Sequence, residues 1–316
     1  MNMMKTKNQP LVSVVIPTHD RKEMLVRLIK SIKKSTYKNL EIIVVDDASS
    51  DGTYEYIKKK SLGVKIFRNK NNLLLAASRN VGIKKSIGKY VFLIDDDNVI
   101  DKSCISCLVE IMEKDRKIGI IGPIVYYYSN PRRIWCAGVR RNKITSLTKI
   151  IERDKFNRGQ LEELISSEDF PNAFMIRRDV VKKVGLFDEK LFSIHYDEAD
   201  FGERVRKADF KIVCYTKAEI WHDIPLPEKV EDKSRLFHVH NDYRAYSTAK
   251  NRIIFHKKYY KGWKFCIFIL FFNWLFSFYY LKIILFNNSN KSIADRIKVA
   301  KSYIRGIKDA FVFSSG

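Results

Sequence analysis

The sequence predicts an α/β domain, a mostly parallel central sheet with helices on both faces, followed by a helical C-terminal region. Three observations carry this. Short runs rich in Val, Ile and Phe alternate with stretches of helical periodicity, in the order β-α-β-α-β-α-β over residues 11–95, the way parallel sheets are built. Tyr90-Val91-Phe92-Leu93-Ile94 is apolar without a break, which suits a strand buried on both faces. That run delivers Asp95-Asp96-Asp97-Asn98 at its C-terminal end, where open α/β sheets place their ligands. Clustered carboxylates repel one another unless something cationic sits among them, and a divalent metal carrying a phosphorylated substrate is the natural candidate. A solvated acidic turn is the plain alternative.

Taken in order, Leu11 to Ile16 reads as a strand ending at Pro17. Asp20 with Glu23 resembles a capping box before a helix that carries Leu25, Leu28, Ile29 and Ile32 at helical spacing. Leu40 to Val45 is a second strand ending in Asp46-Asp47, and Ser49 to Thr53 is a turn before a short helix. Val64 to Phe67 is a third strand, Ala76 to Ser86 a helix, and Lys89 to Asp95 the next strand. Asp101 to Asp115 predicts a helix and Ile118 to Tyr127 a strand. Over residues 131–168 the periodicity weakens, which fits either an acceptor-binding insertion or an irregular loop with short strands. Ala173 to Ile176 is a strand, Asp179 to Val184 a short helix, and Asp197 opens a helix carrying Phe201, Val205 and Ala208. Lys211 to Tyr215 is a strand, with Ile220-Trp221-His222 following. The predicted division is a catalytic domain over 1–225 and a helical tail over 226–316.

Composition narrows the class. The chain of 316 residues carries 59 basic and 36 acidic side chains, a net charge of +23, which implies an anionic partner: nucleic acid, an anionic lipid surface or a phosphorylated substrate. From Arg244 onward there are fourteen Lys or Arg against Asp295 and Asp309 alone. The five cysteines lack framework spacing and read as reduced core thiols, which fits the cytosol. Met1 to Pro10 is polar, with no apolar stretch of the signal-peptide kind. There is no G-x-G-x-x-G after a strand and no G-x-x-x-x-G-K-[ST], which disfavours a dinucleotide enzyme and a P-loop NTPase.

Several stretches together resemble glycosyltransferase family 2, in its rhamnosyltransferase-like members. They are Val14 to Thr18, Val44 to Thr53, Ala77-Ser78-Arg79-Asn80-Val81-Gly82, Phe92 to Asn98, Val184 to Asp188, and Asp197 to Arg204. The resemblance covers about residues 10–223 and implies a GT-A fold and inverting transfer of a sugar from a nucleotide-sugar donor. It implies that Pro17, Thr18 and Arg21 line the nucleotide pocket, that Asp47 accepts a hydrogen bond from a base N–H, and that Arg79 lies near the diphosphate. Asp95-x-Asp97 matches the family's D-x-D. Alternate residues at a strand end share a side, so Asp95 reaches ribose and metal while Asp97 ligates the metal, Mg2+ or Mn2+. Asp96 faces elsewhere, as a solvated neighbour in the nucleotide-sugar region. His222 matches a histidine that completes the coordination, with His195 a weaker candidate. Glu198 matches the base that deprotonates the acceptor, with Asp197 the runner-up; Asp200 and Arg204 are assigned to acceptor binding, Arg204 pairing with Asp200 one turn away. Structural readings stand beside these: Asp47 as a turn residue, Arg79 as a surface arginine, His222 as a structural histidine, and Asp197-Glu198 as an acidic helix cap. The chain departs from the family pattern at Asp20, where Asn is usual, at Leu74, where Gly is frequent, at Glu198, where Asp is common, and at Asp209, where a helix-ending Gly is usual.

The tail adds a second theme. Phe265 to Phe286 is dominated by Phe, Ile, Leu, Tyr and Trp and reaches about 33 Å as a helix, long enough to cross a bilayer. Both flanks are basic, so a single span puts one of them on the wrong side. The favoured form is an in-plane or re-entrant hairpin bent near Asn273; one span and a buried soluble helix are the alternatives. Residues 292–312 place Ile293, Ile297, Ala300, Ile304, Ile307 and Phe311 on one stripe, as in a basic interfacial helix or a helix packed on its own protein. The function expected from the whole is metal-dependent inverting glycosyl transfer to a lipid-linked or polysaccharide acceptor at the cytoplasmic face of the membrane, the enzyme being peripheral, re-entrant or single-span. A nucleotidyltransferase is the nearest enzymatic rival. A nucleic-acid-binding protein is prompted by the charge, but no binding motif appears and no nucleic acid is expected as a partner.

Overall fold

The structure, a computed structural model, describes residues 9–60, 62–287 and 291–312. The polar N-terminal segment, Met1 to Pro10, falls mostly outside them. The chain divides into two compact units: residues 1–139, 150–187 and 201–224 form one, and residues 140–149, 188–200 and 225–316 the other.

The first unit is built on a ten-stranded sheet. Its opening half follows the predicted alternation: β1 (Val12–Thr18), α1 (Lys22–Lys33), β2 (Leu40–Asp46), α2 (Thr53–Lys60), β3 (Lys65–Arg68), α3 (Leu74–Lys85) and β4 (Tyr90–Ile94). These four strands pair in parallel, in the order β4-β1-β2-β3. Every residue of β1 and β4 is buried, as their uninterrupted apolar runs require.

Beyond β4 the sheet changes character. β5 (Asn98–Ile100), α4 (Cys104–Lys114), β6 (Ile118–Tyr127), β7 (Asn130–Cys136), β8 (Val139–Arg141), β9 (Thr148–Ile150), β10 (Leu164–Ser166), β11 (Ala173–Arg177), α5 (Arg178–Val184), α6 (Asp197–Lys207) and β12 (Lys211–His222) follow. β11 runs antiparallel between β4 and β6. β10 and β5 pair antiparallel with β12, and β7 with β6, while β12 and β6 are parallel. The sheet is therefore mixed rather than mostly parallel. β6 and β7 are joined by a short turn with no crossover helix, so they meet antiparallel; the antiparallel pairing of β11 with β4 joins distant segments. β12 is one long strand with a register shift between Tyr215 and Glu219, so the two separate runs seen in the sequence are halves of one bulged element. Within residues 131–168, β8 and β9 pair with each other as a separate two-stranded sheet, and Ile134, Ile151, Leu161 and Ile165 pack on the core of the first unit.

The motif around α3 has a packing explanation. Asn80 holds Phe187 from both sides, its amide donating to the Phe187 carbonyl at 2.9 Å and its oxygen accepting the Phe187 N–H at 3.0 Å. Phe187 in turn stacks on Phe201, with centroids 4.6 Å apart. Gly82 faces Val15 so closely that a Cβ there would sit 2.1 Å from Val15 Cγ1.

The second unit gathers the tail helices with the segment that precedes α6. α7 (Lys233–Leu236) and α8 (Asp242–Tyr259) are capped by Asp232 and Asn241. α9 spans Trp263–Phe286, with π-helical geometry over Phe268–Phe272, and α10 spans Ile293–Val312. The predicted hairpin bend at Asn273 is absent. Asn273 continues the helix because its amide is used: it is buried and accepts from Arg252 at 3.3 Å, while Arg252 also donates to Tyr303 at 3.0 Å. Gly306 lets α10 approach α8, where an added Cβ would lie 2.4 Å from the Tyr246 carbonyl oxygen.

Gly82→Ala tests the close approach in the first unit. Helix propensity favours Ala by about 1 kcal/mol, but overpacking against a stiff, fully buried Val15 costs about 1–3 kcal/mol. A net loss of about 1–2 kcal/mol, read as a lower urea midpoint at unchanged slope, is expected.

Candidate active site

The site is built where β1, β2 and β4 end together. The turn after β4 presents Asp95, Asp96 and Asp97, and it is braced by Asn98, whose amide donates to the Asp95 carbonyl at 2.8 Å and to Asn172 Oδ1 at 2.7 Å. His222 reaches the turn by register: β12 pairs antiparallel with β5 so that His222 lies opposite Asn98. Its Nε2 thereby sits 3.3 Å from Asp97 Oδ1. The indole of Trp135 packs edge-on against the imidazole, centroids 4.6 Å apart, and fixes the ring.

Two of the carboxylates share one guanidinium. Arg21 Nη1 lies 3.1 Å from Asp96 Oδ1 and 2.8 Å from Asp97 Oδ2. Asp96, expected to be a solvated neighbour, is 3 % exposed and accepts from Thr18 Oγ1 at 2.7 Å. Burial pushes its pKa up to about 7 against the pull of Arg21. Asp97 is also buried, which on its own raises its pKa, but the His222 ring and Arg21 outweigh this and hold it below the usual carboxylate range.

Arg79 is not a surface arginine. It is wholly buried, its guanidinium 5.7 Å from the Phe174 ring and 5.8 Å from that of Phe187, with Nη2 3.0 Å from Asp95 Oδ1. Arg79 thus holds Asp95. The expected trio of Asp95, Asp97 and His222 is accordingly not assembled: among the described residues no group of three or more His, Cys, Asp or Glu is close enough to hold a metal.

The Asp97–His222 pair nonetheless fits two ligands of one ion. Adjacent ligands at about 2.1 Å from an octahedral metal stand about 3 Å apart, close to the 3.3 Å separation found. Substrate phosphates and water complete such shells when few protein ligands are present.

At the tip of β2, Asp47 has both carboxylate oxygens engaged. Oδ1 accepts from Asn69 Nδ2 at 2.8 Å and from the Leu73 amide at 2.9 Å, and Oδ2 from the Leu74 amide at 2.8 Å. These bonds brace the loop entering α3. Pro17 is buried within β1, opposite Val45. Asp20 does not cap α1. It accepts from the amides of Ser50 at 2.6 Å and Asp51 at 3.2 Å, and the Ser50 amide foremost holds its pKa below the ordinary value. A separate basic cleft of about 730 Å³ runs along α1, lined among others by Lys22, Arg27, Lys30, Tyr128 and Trp221; none of the three consecutive aspartates lines it.

The departures from the family pattern fall on special backbone. Asp20, Leu74 and Asp209 have φ of 53°, 72° and 64°, the left-handed region that Gly or Asn adopts most easily. Such residues cost on the order of 1–3 kcal/mol each. The Asp47–Leu74 contact and the Asp20 bonds to the 50–51 turn offset that cost.

The expected base segment belongs to the second unit. Asp197 is 1 % exposed, and Glu198 is only half-buried. Asp200, assigned to acceptor binding, is fully buried and accepts from Lys258 Nζ at 2.7 Å and Tyr259 OH at 2.6 Å. Arg204 donates to the carbonyls of Val184 at 2.6 Å and Leu186 at 2.9 Å. His195 packs on His238, centroids 4.9 Å apart, and burial with His238 beside it keeps the ring well below the usual imidazole range. The roles of Asn69, Trp135, Lys258 and Tyr259 come from long-range contacts and have no local pattern in the sequence.

The family model of glycosyl transferase family 2 matches residues 13–185. An uncharacterized glycosyltransferase of Rickettsia conorii is 31 % identical over 191 residues, 58 % of this chain and 28 % of that protein. Glycosyltransferase GlyG of Streptococcus pneumoniae is 32 % identical over 121 residues, 37 % of this chain and 40 % of that protein. The chain thus spans less than half the length of these curated relatives. Among solved structures, GalNAc-T7 with UDP, GalNAc and Mn2+ gives a TM-score of 0.58 at 19 % identity, covering 78 % of this chain and 51 % of that one. Mannosyltransferase PcManGT from Pyrobaculum calidifontis with GDP-Man and Mn2+ gives 0.56 at 14 % identity, covering 98 % and 77 %. At those identities the likeness concerns the fold, and the family match carries the rest: the chain belongs to glycosyl transferase family 2, on a GT-A fold.

Proposed function

We propose that the protein is a metal-dependent, inverting glycosyltransferase that moves a hexose or rhamnose from a nucleotide-sugar to a lipid-linked or polysaccharide acceptor at the cytoplasmic face of the membrane. The observation that carries this reading is the Asp97–His222 pair, 3.3 Å apart beside the end of β4, in a family 2 chain. Asp97 and His222 are the residues that would hold Mg2+ or Mn2+, and the bound ion would supply neutralisation of the leaving phosphates. Both solved structures above are complexes with Mn2+ and UDP or GDP-Man, which supports the same pairing for this chain.

The chain's own residues divide the remaining work. Arg21 is half-exposed on the carboxylate cluster, where it meets the donor phosphates. Arg79 holds Asp95 toward the ribose. Glu198 takes the proton of the acceptor hydroxyl. The acceptor oxygen then forms its bond to the anomeric carbon from the face opposite the leaving group. The bond from that carbon to the phosphate oxygen breaks, and its electron pair leaves with the nucleoside phosphate. Glu198 suits the role of base better than Asp197, because it is the one with partial access to solvent.

The membrane part of the reading rests on α9, whose polarity is inverted for a helix in water. Leu270, Phe271, Trp274, Leu275 and Phe278 are exposed at i, i+3, i+4 spacing, while Asn273 and Ser277 face inward. Water favours the opposite arrangement, and a lipid surface favours this one. Tyr280 of α9 packs on Tyr303 of α10, and α10 exposes Lys298, Lys301, Arg305 and Lys308. Those charges are expensive at bilayer depth, which favours α9 lying in the plane of an anionic surface over crossing it.

Asp97→Ala is expected to abolish transfer, as is chelation of divalent metal, with activity returning on adding Mn2+ or Mg2+. Glu198→Gln is expected to lower transfer at least a thousandfold with donor affinity unchanged. The assay follows release of nucleoside phosphate from UDP-, dTDP- and GDP-sugars; release of pyrophosphate instead identifies a nucleotidyltransferase. In a flotation assay the wild-type chain is expected to rise with vesicles containing phosphatidylglycerol, and the Phe271→Glu/Phe278→Glu variant to stay behind by at least tenfold. Equal recovery of both proteins excludes α9 as the docking face.

A further inference from the structure

The tail contains a device that an anchor does not need. Just before α6, His195 and Tyr196 have φ of 61° and 66° in succession. Two consecutive non-glycine residues in the left-handed region are strained, and such strain persists only where the surroundings enforce it. The enforcing contacts come from one face of α8, at i, i+4, i+7 and i+8. The amide of Asn251, 1 % exposed, donates to the carbonyls of Ile194 at 2.9 Å and His195 at 3.1 Å. The Phe255 ring packs on Tyr196 and Phe192, centroids 5.2 and 6.4 Å away. Lys258 and Tyr259 close on Asp200 from the far side, and Lys258 also reaches Asp188 at 3.5 Å. The segment 194–200 is thereby pinned at both ends, with Asp197 and Glu198 between the pins.

We infer that α8 is a positioning element for the base-bearing turn: Asn251 at one end, and Lys258 with Tyr259 at the other, hold Glu198 in its working orientation. This rests on Glu198 being the base. It gives the tail a part in the chemistry besides any part in localisation, and it explains why residues 188–200 group with the tail helices and not with the sheet.

The test uses the full-length chain and a double-mutant cycle. Asn251→Ala is expected to lower kcat for transfer at least tenfold while the donor KM and the thermal midpoint of the sheet-bearing unit stay near wild type. Lys258→Met is expected to do the same, and Lys258→Arg, which preserves the ion pair, to recover most of the rate. Combined with Glu198→Gln, Asn251→Ala is expected to add less than twofold to the residual defect, because residues acting through one group are not additive. Multiplying defects overturn the inference, as does an Asn251→Ala enzyme with normal kcat, or one in which kcat and donor affinity fall together. A Glu198→Gln enzyme that transfers normally overturns the base assignment itself. A dead Glu198→Gln enzyme beside a normal Asn251→Ala enzyme removes only the positioning role.

Discussion

Three consecutive carboxylates share one turn because two arginines and an imidazole are set against them. At about 4 Å, two like charges repel by about 4 kcal/mol at an effective dielectric near 20, and Asp96 and Asp97 are both almost fully buried. Arg79 takes Asp95 from beneath the sheet, Arg21 spans Asp96 and Asp97 from the start of α1, and His222 meets Asp97 from the end of β12. Each of those side chains arrives on a different element, so the turn keeps its form only when β1, α3, β4 and β12 are all in register. The rest of the first unit serves that convergence. Asn98 ties the turn to Asn172, and Trp135 fixes the imidazole.

The same dependence explains where the chain differs from its family pattern. Asp20, Leu74 and Asp209 occupy left-handed backbone without the freedom of glycine. At two of the three the structure supplies a specific hydrogen bond to an adjacent amide or turn. At Leu74 that bond runs from the backbone amide to Asp47 Oδ2.

The two units follow different rules of polarity. In the sheet-bearing unit apolar residues are inside and charges meet at strand ends. In the tail, α9 turns Asn273 and Ser277 inward and its aromatic residues outward, and a buried Arg252 joins Asn273 to Tyr303. A bend predicted at Asn273 fails for that reason: a polar residue in an apolar run can mark an internal hydrogen bond as readily as a break.

The sequence by itself determined the β-α alternation, the buried strand β4, the carboxylates at its tip and the length of the apolar helix, because each is written in local periodicity or in a contiguous run. It also made His222 and Asp97 partners by motif order. The tertiary structure decided which atoms those residues face. Strand direction beyond β4, the burial of Arg79 and Asp96, the capture of Asp200 by Lys258 and the grouping of residues 188–200 with α8 depend on contacts between segments 16 to 124 positions apart. No local pattern encodes a partner at that distance; only the packed chain, in which buried polar groups must find each other, selects it.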